Sequence, residues 1–310
     1  MKTLEVSDAD LEAYKDAVDP YRHVRDIAAY QQSVEVMIFQ PELFTPPDPL
    51  PWSKTHGKVG FRPGEVTLWH GINGHGKSAV TTQVALSLAL AGRPVCLASF
   101  EMLPARTVQR LVLQCAGTSN PTEGLVKDIF AATSERVWLY DKRDTVDVQR
   151  LYQVMRYCAI ELEVKHFFVD SLMKCVKGED DYNGQKDFVA MLCQLAHETM
   201  MHIHLVHHVR KSGDEKSQPS KFDAKGSGSI TDQVDNVIAV WRNKDKEAKR
   251  ANGEADESQP DFVLICDKQR NGGWEGRVGL WGDLSCWHFR ETQEVPWTKG
   301  YSVARSAMAA

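Results

Sequence analysis

Eight residues, Gly71-Ile72-Asn73-Gly74-His75-Gly76-Lys77-Ser78, carry the most specific chemistry in the chain. Glycine, four residues, then Gly-Lys-Ser is a spacing that lets backbone N–H groups converge on a phosphate. The apolar run Val66 to Trp69 before it reads as a strand. The periodic stretch behind it (Val80, Val84, Leu86, Leu88), running to Ala91, reads as a helix whose N-terminus places partial positive charge behind the loop. In that setting Lys77 reaches the β- and γ-phosphates of ATP or another nucleoside triphosphate, and the Ser78 hydroxyl ligates Mg²⁺. Gly71, Asn73, Gly74, His75, Gly76 and Ala79 complete the cradle.

Such a loop needs a carboxylate to orient the metal, and His166-Phe167-Phe168-Val169-Asp170-Ser171 ends an apolar strand in one; Asp170 is the Mg²⁺ candidate. Water must also be polarised. Glu101 closes the strand after the loop's helix, where doubly wound folds put reacting groups; an acid there also suits the first turn of the next helix. His202, His204, His207 and His208 alternate along a strand, with His207 alone on its face. A zinc site there lacks further ligands at metal spacing; a contact to the γ-phosphate and two surface histidines at a strand end are the other readings. In Cys266-Asp267-Lys268-Gln269-Arg270-Asn271-Gly272-Gly273, Lys268 and Arg270 project the same way before a glycine turn. They are either a solvated turn or a finger reaching a neighbouring subunit's nucleotide.

The elements that position these groups alternate strand and helix from Gly60 onward: an α/β fold, a mostly parallel sheet with helices on both faces. Strands are expected at 94–99, 136–140, 165–170, 202–207, 236–242, 262–266 and 277–281, and helices at 104–115, 146–162 and 187–201. Residues 7–30 read as one or two helices, with Ser7 and Asp10 as a capping box and Leu11, Tyr14 and Val18 at helical spacing. Thr45-Pro46-Pro47-Asp48-Pro49-Leu50-Pro51 reads as an extended linker. The stretch 209–229 is an aperiodic loop with five cations and three acids. Lys244 to Pro260, charged and without aromatics, reads as a mobile excursion. The division is thus a helical segment 1–45, a linker 46–57, an ATPase domain 58–292 and a tail 293–310.

At 310 residues, 42% hydrophobic, 25% charged and net charge −5, the composition is that of a soluble globular protein without a basic coat. Seven cysteines without a C-x-x-C pair read as reduced thiols, and no apolar run approaches membrane length. A cytoplasmic location, with no membrane partner, is the expectation.

Taken together, Gly71 to Ser78, Ser99-Phe100-Glu101-Met102, Phe168-Val169-Asp170-Ser171, Leu205 to Lys211, Lys225 to Ile230, Trp241-Arg242-Asn243 and Lys268 to Gly272 resemble, in order, the motifs of the DnaB-like replicative helicases. The likeness covers about residues 58–290 and is nearest the phage primase-helicase and mitochondrial Twinkle branch. It implies a RecA-like core in a ring, usually a hexamer, of bacterial or phage origin, with ATP between subunits. Glu101 is then the general base, Asp170 the metal ligand and His208 the γ-phosphate sensor, while Lys268 and Arg270 act in trans. Trp281 and Arg242 lie near the nucleotide. Arg210, Lys211, Lys225, Gly226 and Gly228 hold single-stranded DNA, glycine allowing close approach and lysine giving salt-dependent affinity. His75 departs from the family loop, which carries a smaller or uncharged residue there. About 50 residues before the core are too few for a primase domain, so any primase is expected as a separate chain, and the 7–30 helix as a linker helix on the next subunit.

Replicative unwinding is therefore the leading expectation. A RecA-like recombinase or loader shares the phosphate loop, and a signalling or clock-type ATPase would use it without DNA.

Overall fold

The computed structural model describes residues 26–40, 43, 46–142, 146–178, 181–208 and 228–293. A nine-stranded sheet dominates, in the order β11-β10-β9-β8-β3-β7-β6-β4-β5. Its strands are β3 (Val66–Gly71), β4 (Val95–Ser99), β5 (Val137–Leu139), β6 (His166–Asp170), β7 (His202–His208), β8 (Asn236–Arg242), β9 (Phe262–Gln269), β10 (Gly276–Asp283) and β11 (His288–Arg290). From β5 to β8 every pairing is parallel; β9, β10 and β11 add on antiparallel. All six residues of β3 are buried, as expected of a central parallel strand covered on both faces.

Alternation along β3 splits the core in two. Trp69 faces one cluster with Val80, Val84 and Leu88 of helix α2 (Lys77–Leu90), Leu111 of α3 (Pro104–Ala116) and Ile129 of α4 (Glu123–Thr133). Val66 and Leu68 face the other, with Leu151 and Met155 of α5 (Val148–Glu161), Phe188 and Leu192 of α6 (Tyr182–Thr199), and Ile230 of α7 (Gly228–Gln233). Local signals set the ends: Pro104 opens α3, Gly117 closes it in the left-handed region, and Asp147 caps α5 by accepting from the Arg150 N–H at 2.8 Å.

Three stretches differ from their sequence reading. Between the expected helix 104–115 and strand 136–140, where the sequence reading has no helix, lies α4, whose Thr122 cap is inconspicuous among turn residues. Helix α6 starts at Tyr182, five residues early, because Asp181 caps it. The 244–260 excursion, read as mobile, carries α8 (Lys244–Ala251), and several of its charges are paired. Lys246 is buried with its ammonium 2.8 Å from Asp261 and 3.2 Å from Glu257, and Arg250 bonds Asp261 at 2.8 Å.

The proline-rich stretch is extended, as expected, but it is packed onto the sheet. Asp48–Pro49 (β1) pairs with Gly60–Phe61 (β2), and Leu50 and Trp52 are core residues. A buried chain of hydrogen bonds ties it down. Trp69 Nε1 donates to His204 Nδ1 (3.2 Å), so the neutral His204 carries its proton on Nε2 and donates to His166 Nδ1 (3.2 Å). His166 Nε2 then donates to Asp48 Oδ2 at 3.1 Å, and Arg93 donates to Oδ1 at 2.8 Å. Burial pushes His166 below its usual pKa, His202 down to about 3 and His204 well below the usual range, so all three rings are neutral. Burial would raise the Asp48 carboxyl, but the His166 and Arg93 hydrogen bonds hold it low.

Of the N-terminal segment, residues 7–25 lie outside the described residues. A single turn (Ile27–Tyr30) leads into α1 (Gln31–Phe39), which buries none of its residues; Ile27, Ile38 and Phe39 are exposed.

Candidate active site

Strand β3 delivers the chain to its carboxyl end at Gly71, where only glycine fits. Its φ is +150°, and a Cβ would lie 2.4 Å from the Val240 carbonyl oxygen of β8. The loop then turns through Gly74 (φ +79°) and Gly76 (φ +85°), both in the left-handed region that glycine tolerates without strain. Gly76 is the N-cap of α2 and supplies no side-chain cap, so the first-turn N–H groups of that helix stay available to an anion. Asn73 and Gly74 are exposed on the rim, while Ala79 packs its methyl into the core and keeps its backbone on the first turn.

Lys77 lies buried beneath this loop, its ammonium donating to the carbonyls of Gly71 (2.7 Å) and Ile72 (3.0 Å). Burial pulls its pKa down to about 8, against the opposing pull of Asp170 and Glu101. Across from it, at the end of β6, Asp170 hydrogen-bonds the Ser78 hydroxyl. Burial raises the Asp170 carboxyl, and that hydrogen bond only partly offsets it. Asp170 Oδ1 is buried and meets no donor among the described residues. A hydroxyl and an unsatisfied carboxylate oxygen beside a phosphate loop are a hard-oxygen donor set that fits Mg²⁺.

Glu101, just past β4, accepts on Oε1 from the Ser171 hydroxyl at 2.8 Å, and His208 Nε2 stands 3.4 Å from the same oxygen. The His208 hydrogen bond, then that from Ser171, drop the Glu101 pKa to about 2 despite partial burial, so the group is a carboxylate at any working pH. His207, on the opposite face, is buried and held down at about 4, chiefly by burial. Of the two histidines expected on the surface at this strand end, one is therefore interior and the other half-buried at the site. The described residues hold no group of three or more metal ligands, which removes the zinc reading there.

Arg242 ends β8 beside the loop: its guanidinium donates to the Gly74 carbonyl at 3.3 Å and pairs with Glu247 of α8. Trp281 of β10 lies at the same end of the sheet, since Leu280 pairs with Phe262 and Phe262 with Arg242; its indole donates to the Glu257 carbonyl at 3.2 Å under the Lys54 ammonium. Lys268 and Arg270 sit at the far edge of the sheet. Register places Gln269 opposite Asn236, at the start of β8, and Arg242 at its end. Seven residues of strand put them about 20 Å from the loop. Both bind inside their own chain: Lys268 donates to the carbonyls of Thr231 (2.7 Å), Asp232 (3.1 Å) and Val234 (2.8 Å), and Arg270 to those of Asp232 and Gln233 and to Asp235. Arg210, Lys211, Lys225 and Gly226 lie outside the described residues; Gly228 begins α7.

Two participants escape a reading of the sequence alone. Ser171, next to Asp170, holds Glu101. Arg110 of α3 lines one cleft with Ser78, Thr82 and Asp170, stacked 5.4 Å over Trp287. The signal for it is a polar stripe, Thr107, Arg110 and Gln114, at helical spacing on a helix whose Thr107 and Gln114 are buried.

The arrangement resembles known folds. A solved ATPase domain gives a TM-score of 0.73 at 17% identity, over 87% of this chain and 100% of that one. A DnaB-like replicative helicase, solved with its interactions with primase, gives 0.72 at 16% identity, over 87% of this chain and 69% of that one. At such identities the shared feature is the RecA-like fold. The sequence match is to the model of an AAA domain, over residues 42–214. That is more than half of the chain and takes in Lys77, Ser78, Glu101, Asp170 and His208, and on that match this protein belongs to the AAA-domain family.

Proposed function

We propose that this chain is a Mg²⁺-dependent ATPase that moves along single-stranded DNA as a replicative helicase, in a ring with ATP between subunits. The observation that carries this reading is the placement of the phosphate loop and of Lys268 and Arg270 at opposite edges of one sheet, about 20 Å apart. In this reading the two cations serve a neighbouring copy's nucleotide rather than their own. The likeness to a solved ATPase domain and to a replicative helicase fold supports the same reading.

In this reading the first-turn N–H groups of α2 and the Lys77 ammonium hold the phosphates. Ser78 and Asp170 hold Mg²⁺, which when bound neutralises phosphate charge. Glu101 keeps Oε2 uncommitted among the described residues and orients the attacking water. His208 links that carboxylate to the γ-phosphate, and Arg270 and Lys268 complete the site from the next subunit. The exposed apolar residues of α1 dock on that subunit, and Arg210, Lys211, Lys225, Gly226 and Gly228 line the DNA channel. A separate primase is the further partner.

The test is ATPase activity with and without single-stranded DNA, beside unwinding of a forked duplex. Stimulation with unwinding supports the reading. Stimulation without unwinding selects a recombinase or loader, and no response to DNA selects an ATPase of another class. Neutralising Lys211 and Lys225 should flatten the log–log salt dependence of DNA binding by about one unit or less for each phosphate no longer neutralised; an unchanged slope moves the DNA site elsewhere.

A further inference from the structure

Between two glycines of the phosphate loop, the His75 side chain is interior, 1% exposed. Its Nδ1 accepts the backbone N–H of Arg242 at 3.2 Å. That residue belongs to the junction of β8 and α8, 167 positions away in sequence. The same junction grips the neighbouring loop positions. The Arg242 guanidinium donates to the Gly74 carbonyl, and a Cβ on Gly76 would lie 3.0 Å from the Phe262 ring, over which Arg242 also lies at 5.8 Å. Three consecutive loop residues thus touch the two ends of one excursion, 242 and 262.

The excursion is itself tied together. Asn243 caps α8 by accepting from the Lys246 N–H at 2.9 Å, and its own N–H donates to the Asp261 carbonyl at 2.8 Å, closing the hairpin's base. Lys246, Arg250, Asp261 and Glu257 lock the interior, and Glu247 holds the Arg242 guanidinium. A glycine-rich loop on its own samples many conformations, and ordering it opposes phosphate binding.

We propose that the 242–262 hairpin presets the phosphate loop through His75, which makes His75 a positioning residue for the nucleotide and the hairpin a lever on nucleotide affinity. Lys77, Ser78 and the helix N-terminus still hold the phosphates; His75 fixes the path of the backbone that presents them. The inference rests on reading this loop as the nucleotide site. Asn is the conservative replacement, because its Oδ1 stands where Nδ1 stands in His; Leu fills similar volume without an acceptor.

The experiment is equilibrium titration of the full-length protein with MgADP and with a non-hydrolysable MgATP analogue, alongside thermal melting without nucleotide. His75→Leu should weaken both nucleotides about three- to tenfold, the worth of one hydrogen bond, and His75→Asn should restore most of the loss. Glu247→Gln, a surface change on α8, should weaken binding in the parent but add nothing in the His75→Leu background, since both act through residue 242. Additive losses, or affinities that merely follow the melting temperature, overturn the proposal. So does unchanged affinity in Glu247→Gln, which decides the matter if His75→Leu does not fold. A parent protein that binds neither nucleotide overturns the nucleotide reading itself; a parent that binds with variants that bind equally well overturns only the role of His75.

Discussion

Glu101 Oε1 and His208 Nε2 face each other at 3.4 Å, reaching over the end of β6, which separates β4 from β7. The carboxylate and the imidazole are thus linked above Asp170, and what moves one moves the other.

The link has a pH signature. Glu101 is depressed to about 2 from an ordinary 4.5, so its contribution to stability is complete above 4.5 and is lost as pH falls toward 2. In His208→Ala the main cause of the depression is gone and that increment shrinks, with only the Ser171 hydrogen bond left beside it. Urea unfolding of both proteins from pH 6 to pH 3 should show the parent more stable at pH 6 and the two converging on acidification. A constant gap across the range would refute the link.

Lys77 is held for its ligand at the expense of the empty fold. Its pKa of about 8 lies below the ordinary 10.5, so the unfolded chain binds more protons between those values and this group makes stability rise with pH there. Lys77→Met should abolish nucleotide binding, leave the nucleotide-free melting temperature unchanged or higher near pH 7, and remove the rise above pH 8. A variant that melts well below the parent at pH 7 would contradict this.

Two glycines of one loop should differ sharply. Gly71→Ala drives a Cβ into the Val240 backbone oxygen and should cost roughly 3 kcal/mol or more through the β3–β8 pairing. Gly74→Ala meets nothing within 4 Å and bears only left-handed strain, about 1 kcal/mol. Equal losses in chemical denaturation would show that the clash at β8 is relieved by movement.

The local parts of the site were legible in sequence. The phosphate loop, Asp170 and Glu101 each sit at the end of a strand that its own residues announce, and β3, β6 and β8 appear where their apolar runs place them. What escaped was held by partners far along the chain. His75 answers to Arg242. His204 serves Trp69 and His166, so a strand that read as decorated with surface or metal-binding rings carries neutral interior ones at His202, His204 and His207. Lys244 to Pro260 looked mobile because composition records charges without their pairing; Lys246 and Asp261 meet only once the hairpin closes.

Mixing chains tests where Arg270 acts. Arg270→Ala and Lys77→Ala should each be inactive alone. In mixed assemblies some interfaces join an intact phosphate loop on the first to an intact Arg270 on the second, and part of the ATPase should return because charge in the transition state is stabilised across the boundary. No recovery at any ratio, with mixed assembly verified by mass, would mean that Arg270 acts within its own chain or not at all.

The separation of phosphate loop and Arg270 across the sheet also fixes a count. If Arg270 serves a neighbour as proposed, a chain with a cradle at one end of the sheet and an exposed cation at the other is a head-to-tail unit, carrying half a site on each side. An open run of n copies then has n − 1 complete sites, a closed circle has n, and a lone chain has none. Turnover per chain should therefore vanish on dilution, climb with concentration as runs lengthen, and level off once they close.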